Sequence, residues 1–257
     1  MKDDPRNNID EQLLARLAHK AGRTAGALRS TTQALLNGAD KDPALRRELL
    51  QAMEFELIEL QRVLDNVVQL KALEKGTASP VRRSVLPGPW LRQLAGRWQR
   101  MQADKAFTWR IDVPDTLGPI HVDEDRLEQG VNNLLANTVR RARPGSTVSV
   151  KASMDREWLL LSVTCDQLSL SPEEYDRACD LLHVSGAEGR FPVSTGLGLY
   201  VTRQWLRQEG GDLVPVLPPA AHAWGGFAMR LPLAGSAPAR AQHLEDLTPN
   251  PGDPAPS

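Results

Sequence analysis

The sequence predicts an α+β chain in which a long antiparallel helical hairpin precedes an α/β sandwich, one mixed sheet with helices on one face. Three observations predict it. Apolar residues recur at three- and four-residue spacing from Ile9 to Gly76 with one break. A stretch rich in Pro, Ser and Gly follows at 77–88. From there to Leu233, short alternating runs interleave with helical ones.

The first helix carries Leu14, Leu17, Ala21, Ala25, Leu28, Thr32 and Leu35 on one stripe and stops at Asn37-Gly38, residues that tolerate the left-handed conformation past a helix end. Asp42 and Pro43 cap and open the second, whose stripe runs Leu45, Leu49, Met53, Leu57, Leu60, Leu64, Val67 and Leu70. One hairpin cannot bury both stripes. A homodimer that closes a four-helix bundle solves this, and the bare pattern equally suits a structural coiled coil.

Beyond the linker, Trp90 to Gln102 reads as a helix and Phe107 to Val113 as a strand. Asp123 caps a helix that runs to Ala142 and ends at Pro144-Gly145. Thr147 to Ala152 and Trp158 to Cys165 pair across Asp155-Arg156. Ser171-Pro172-Glu173-Glu174 is a capping box for a helix through Leu182. Gly196 to Gln208 is a further helix, and Leu213 to Leu217 and Phe227 to Leu231 are the last strands. The expected organisation is a disordered tail at 1–8, the hairpin at 9–76, a linker at 77–88, the sandwich domain at 89–233 and a disordered tail at 234–257.

Composition narrows the function classes. The 257 residues carry a net charge of -1 with 25% charged side chains, which argues against nucleic acid as a partner. Cys165 and Cys179 are the only cysteines and show no zinc spacing. No run reaches the roughly 18 apolar residues of a membrane span. The opening MKDDPRNNID lacks the apolar core of a signal peptide. A cytoplasmic chain with no direct membrane span is expected, its sensor being a separate protein.

Three clusters offer chemistry. Asn133 and Asn137, four apart on one helix, share a face on which two amide oxygens suit a hydrated Mg²⁺ beside phosphates. Arg140 lies on a neighbouring face as a charge-assisted phosphate donor. Ser194-Thr195-Gly196-Leu197-Gly198-Leu199 frees backbone N–H groups at a helix start, where a phosphate is favoured. Asp166 ends an apolar strand, where its carboxylate can accept from an adenine amine or simply serve a turn.

In order, Asp125-Arg126-Leu127, Asn133 to Asn137, Asp166, Thr195 to Leu199, Gly225-Gly226-Phe227 and Leu231-Pro232 resemble the successive boxes of the histidine kinase ATP-binding domain, a fold shared with gyrases. The resemblance implies that Asn133 and Asn137 hold Mg²⁺ and phosphates of ATP, and that Arg140 meets phosphate. It further implies that Asp166 reads adenine, and that Gly196, Leu197 and Gly198 line the nucleotide behind a lid at about 183–194. Ala18-His19-Lys20 onward resembles the acceptor-histidine box. His19 is rotated by about 200° from Leu17 on a helix of 3.6 residues per turn, away from the apolar stripe.

The expected function is therefore a two-component histidine kinase that autophosphorylates His19 and passes the phosphoryl group to the receiver domain of a response regulator. Two departures from the family pattern stand against full activity. Lys20 follows His19 where a Glu or Asp would take a proton, and Leu168 and Leu170 stand where glycines pass close to the nucleotide. Thr24 and Arg23 also differ from the acceptor box, which argues against phosphatase activity. The alternatives are a degenerate pseudokinase or a histidine phosphotransferase acting as a dimeric scaffold.

Overall fold

The structure, a computed structural model, describes residues 5–76, 80–102, 106–155, 157–168, 170–180, 197–216 and 225–233. Helix α1 spans Pro5–Leu36 and α2 spans Pro43–Glu74. Between them Gly38 adopts φ 104°, the left-handed conformation expected of the stop signal. A short 3-10 turn, Ala39–Lys41, follows it. Asp42 then caps α2 by accepting from the backbone N–H groups of Ala44 and Leu45 at 2.8 and 3.2 Å. Helix α1 begins before the expected Ile9, because Pro5 is suited to a first turn.

The apolar stripe of α1 splits in two. Leu17, Leu28 and Leu35 are half-buried, whereas Leu14, Ala21, Ala25 and Thr32 are exposed. On α2, Leu50, Leu57 and Leu64 are also exposed, seven residues apart, so an apolar seam of the hairpin lies open. The other side of α2 buries Glu59, Val63, Asn66 and Leu70.

The second unit holds α3 (Pro87–Met101), α4 (Glu124–Arg141), α5 (Pro172–Ala178) and α6 (Leu197–Gln208). Its main sheet runs in the order β2 (Thr108–Asp112), β4 (Thr147–Asp155), β5 (Trp158–Cys165), β7 (Gly226–Pro232) and β6 (Asp212–Val216). Only β2 and β4 pair in parallel. Register places Val150 beside Val163 and Val163 beside Phe227, so the buried positions of neighbouring strands line one face. That face carries α4 so closely that a Cβ on Gly130 would come within 2.9 Å of Met229 Cε.

Two strands went unread in the sequence. β1 (Arg82–Val85) and β3 (Ile120–Asp123) form an antiparallel ribbon. β1 lies inside the segment read as a linker because three of its four residues are exposed and carry no alternating pattern. Asp123 caps α4 as expected, accepting from Arg126 N–H at 3.2 Å, and Ser171 with Glu174 closes the capping box of α5. Residues beyond Asp180 in the expected extension of α5, the lid at 183–194 and the tail at 234–257 lie outside the described residues.

Candidate functional site

Helix α4 carries the predicted amides because its apolar positions, Leu127, Val131, Leu134 and Leu135, turn into the core and fix its rotation. Asn133 is 2% exposed, and Asn137 is buried one turn on. The Asn133 amide N–H₂ donates to the carbonyl oxygen of Gly198 and to the hydroxyl of Thr202, both at 3.1 Å. The amide helix and the glycine turn at the start of α6 therefore meet. A Cβ on Gly198 would stand 2.7 Å from Asn133 Oδ1, so glycine is what lets α6 approach this closely.

The remaining contacts come from the hairpin. Asn66 of α2, fully buried, donates to Asn133 Oδ1 at 3.0 Å and accepts from Asn133 Nδ2 at 2.9 Å. Its oxygen also accepts from Gln129 at 3.0 Å. Arg62 donates to the same Asn133 Oδ1 at 3.0 Å. Glu59 receives a bidentate pair from Arg62, at 3.1 and 2.8 Å, and a 3.4 Å contact from Arg140. These partners run in opposite sequence order, Glu59 to Arg140 and Asn66 to Gln129, so the hairpin helix lies antiparallel along α4.

Burial pushes the Glu59 carboxyl up, but the hydrogen bond and charge of Arg62, with the charges of Arg140 and Lys20, outweigh it and hold the carboxyl at about 2. Arg140 is also lowered, to about 10, but here the shift disfavours its charged form: burial and the like charge of Arg62 push it down, and Glu59 only partly offsets this. The cluster is thus richer in cation than in anion, and Arg140 is the less satisfied partner.

His19 is exposed on α1, as its rotation predicts, and Lys20 is half-buried with its charge reaching Glu59. Thr24 is buried and donates to Glu56 at 3.0 Å, a hairpin contact that sets the level of His19 close to that of Glu59 and Arg62. Asp166, just past β5, is exposed, and its carboxylate accepts from Thr147 N–H at 2.9 Å. Leu168 and Leu170 belong to the main apolar core. Leu197 joins Leu70 and Val201 in a smaller apolar cluster that bridges α2 and α6. Gly196 lies outside the described residues.

The donor set fits a metal-bound phosphate. By residue type Asn133 and Asn137 offer neutral oxygens suited to Mg²⁺ whose other ligands are phosphate and water, and Arg140 an anion partner, although in this arrangement Asn133 Oδ1 accepts from Arg62 and Asn66 and Arg140 faces Glu59. A cleft of 780 Å³ lies between α2 and the helices α3 and α4, lined by Leu57, Arg62, Val68, Leu94, Trp98 and Gln129 among others. It therefore borders the amide cluster at Arg62 and Gln129. Among the described residues no group of three or more His, Cys, Asp or Glu is placed to hold a metal, and no helix is long and apolar enough to cross a membrane.

Sequence reasoning missed Glu59, Arg62 and Asn66. A signal was present, since Glu59 and Asn66 occupy the same four-three-four spacing as Val63 and Leu70. Polar residues on a buried stripe demand partners.

Comparison with known proteins agrees with this build. Residues 122–234 match the family of histidine kinase-, DNA gyrase B- and HSP90-like ATPases. The chain is 20% identical over 205 residues to the sensor histidine kinase WalK of Bacillus subtilis, covering 79% of this chain and 33% of that protein. It is 22% identical over 222 residues to the signal transduction histidine-protein kinase BaeS of Escherichia coli, covering 86% and 46%. The chain thus spans less than half the length of these relatives. Among solved structures, the Acinetobacter baumannii histidine kinase AdeS superposes with TM-score 0.56 at 16% identity over 84% of this chain and 98% of that one. Full-length ShkA in complex with AMPPNP superposes with TM-score 0.54 at 21% identity, covering 90% and 48%. Residues 122–234 accordingly match an ATPase domain of the histidine kinase, gyrase B and HSP90 type, and the chain that carries them is similar to sensor histidine kinases.

Proposed function

We propose that this chain phosphorylates its own His19 from Mg²⁺-bound ATP and passes the phosphoryl group to an aspartate on a response regulator receiver domain. The observation that carries the reading is the meeting of Asn133 with Gly198 at 3.1 Å, with Arg140 two turns further along α4. Two boxes 65 residues apart in sequence thereby share one face.

When bound, Mg²⁺-ATP supplies the γ-phosphoryl group. Asn133 and Asn137 would hold the metal, Arg140 would steady phosphate charge, and Asp166 would offer an acceptor for the adenine amine. Gly196, Leu197 and Gly198 form the turn that admits the phosphates. His19 would take the phosphoryl group on its unprotonated ring nitrogen as the bond to the bridging oxygen breaks and ADP leaves, and the proton on its other ring nitrogen would be released. Lys20, a cation facing Glu59, takes no part as a base, so the proton leaves to water. The open seam of Leu50, Leu57 and Leu64 supports a homodimer through the hairpin. Input then comes from a separate sensor protein or from chain beyond these residues, and the hairpin and kinase units act in the cytoplasm.

A second reading has one observation in its favour. Leu168 and Leu170 are built into the core, which closes the backbone passage that glycines would leave open. In that reading the chain is a degenerate kinase or a phosphotransferase scaffold. Incubation of the purified chain with γ-labelled ATP and Mg²⁺ separates the two. The kinase yields acid-labile, alkali-stable label that disappears in His19→Gln; no label at all favours the scaffold, and label that persists in that variant moves the acceptor away from His19.

A further inference from the structure

We infer that the hairpin carries its own inhibitor of nucleotide binding, the Glu59–Arg62 pair of α2, which presents to Asn133 and Arg140 the same charges that a metal-bound phosphate would present. The inference rests on reading Asn133, Asn137 and Arg140 as the phosphate side of a nucleotide site.

The chemistry is matched group by group. Asn133 Oδ1, the oxygen offered to a cation, is already taken by the Arg62 guanidinium at 3.0 Å. Arg140, the cation offered to an anion, is already taken by the Glu59 carboxylate at 3.4 Å. Arg62 and Glu59 are joined to each other at 2.8 Å, as a metal and its phosphate are. Asn66 then holds the Asn133 amide in a reciprocal pair, at 3.0 and 2.9 Å, which fixes its orientation towards the hairpin. With Thr202 and Gly198 sharing its one remaining N–H, Asn133 has no donor or acceptor left for a ligand.

The pair is a competitor of limited strength. A single carboxylate serves both Arg62 and Arg140, and it contacts Arg140 at the longer distance, 3.4 Å against 2.8 Å. A phosphate brings more negative charge and more acceptor oxygens to Arg140 than Glu59 does. Nucleotide and hairpin therefore exclude each other, and occupancy of the site by one releases the other. The Thr24–Glu56 bond puts His19 level with this pair along the hairpin. Whatever shifts α2, a partner or a stimulus, sets the fraction of molecules competent to bind nucleotide.

The test titrates Mg²⁺-ADP into the full chain by calorimetry and follows the radius of gyration by X-ray scattering. Two variants are compared with the parent. Arg62→Ala removes the cation from Asn133. The double exchange Glu59→Arg with Arg62→Glu keeps an ion pair on α2 but reverses the charges it presents. Both are expected to bind Mg²⁺-ADP about tenfold or more tightly than the parent, since apparent affinity scales with the open fraction. Both should also show a larger radius of gyration without ligand, a change that Mg²⁺-ADP produces in the parent.

If the parent binds Mg²⁺-ADP and both variants bind it equally or more weakly, the self-inhibition is wrong while the nucleotide site stands. If Arg62→Ala binds more tightly but the charge-reversed pair behaves as the parent, the matched-charge account is overturned. If none of the three binds Mg²⁺-ADP, the inference and the reading beneath it fall together.

Discussion

Arg62 and Asn133, 71 residues apart in sequence, share a 3.0 Å hydrogen bond that ties the second hairpin helix to the amide helix of the ATPase domain. The bond places a cation against an oxygen that the family resemblance assigns to a metal. It also makes the hairpin part of the site's electrostatics rather than a detached platform, and the predictions below follow from that coupling.

Asn66 is fully buried and exchanges two hydrogen bonds with Asn133, so Asn66→Ala leaves Asn133 Oδ1 with Arg62 alone and removes the acceptor of the Gln129 amide. The expected loss is about 1–3 kcal/mol, the cost of an unsatisfied buried polar group. Urea unfolding without nucleotide checks it, with the unfolding slope unchanged if the variant keeps the same fold.

The acid limb of stability reports on Glu59. Its carboxyl is held at about 2 in the folded chain against 4.5 for an ordinary one, so the stabilisation is fully present above pH 4.5 and is lost as pH falls towards 2. A shift of that size corresponds to about 3 kcal/mol. Unfolding free energies measured from pH 5 down to pH 2 should fall more steeply for the parent than for Glu59→Gln, which has no proton to take up. Parallel curves would remove Glu59 from the account.

Leu168 and Leu170 invite replacement by glycine, since the family places glycines there. Both are buried in the core, Leu170 at 2% exposure, so the replacement opens a cavity. Leu170→Gly should cost about 3–5 kcal/mol, the transfer and cavity terms together with added backbone freedom. Calorimetric melting should show a lowered transition with no gain in ATP-induced stabilisation.

The seam Leu50, Leu57 and Leu64 is exposed at heptad spacing. Leu57→Glu with Leu64→Glu should raise the dimer dissociation constant by about a hundredfold or more, because two charges then enter an apolar bundle interface. Sedimentation equilibrium measures it. An unchanged dimer would move the interface off this face.

Local chemistry was legible in the sequence and long-range polar chemistry was not. Asp42, Asp123 and the Ser171–Glu174 box announce helix starts because a cap is written within four residues. The sheet's buried face is legible in the alternation of Leu159, Leu161, Val163 and Cys165. β1 was lost because Arg82, Arg83 and Ser84 are all exposed, so backbone pairing to β3 alone makes the strand. The amide box and the glycine turn were found by spacing and do meet. Glu59, Arg62 and Asn66 are not legible in an apolar stripe because they are polar, and the α4 partners that bury them lie more than sixty residues away in sequence.

The central claim is that the amides of α4 and the turn before α6 enclose a nucleotide's phosphates, and thermal melting with Asn137→Ala tests it most directly. Among the described residues no hydrogen bond joins Asn137 to the hairpin pair, so its removal should leave the melting temperature without ligand within a few degrees of the parent. The parent should gain several degrees with millimolar Mg²⁺-ATP, and Asn137→Ala should lose most of that gain. An equal rise in both proteins, or none in either, would contradict the claim.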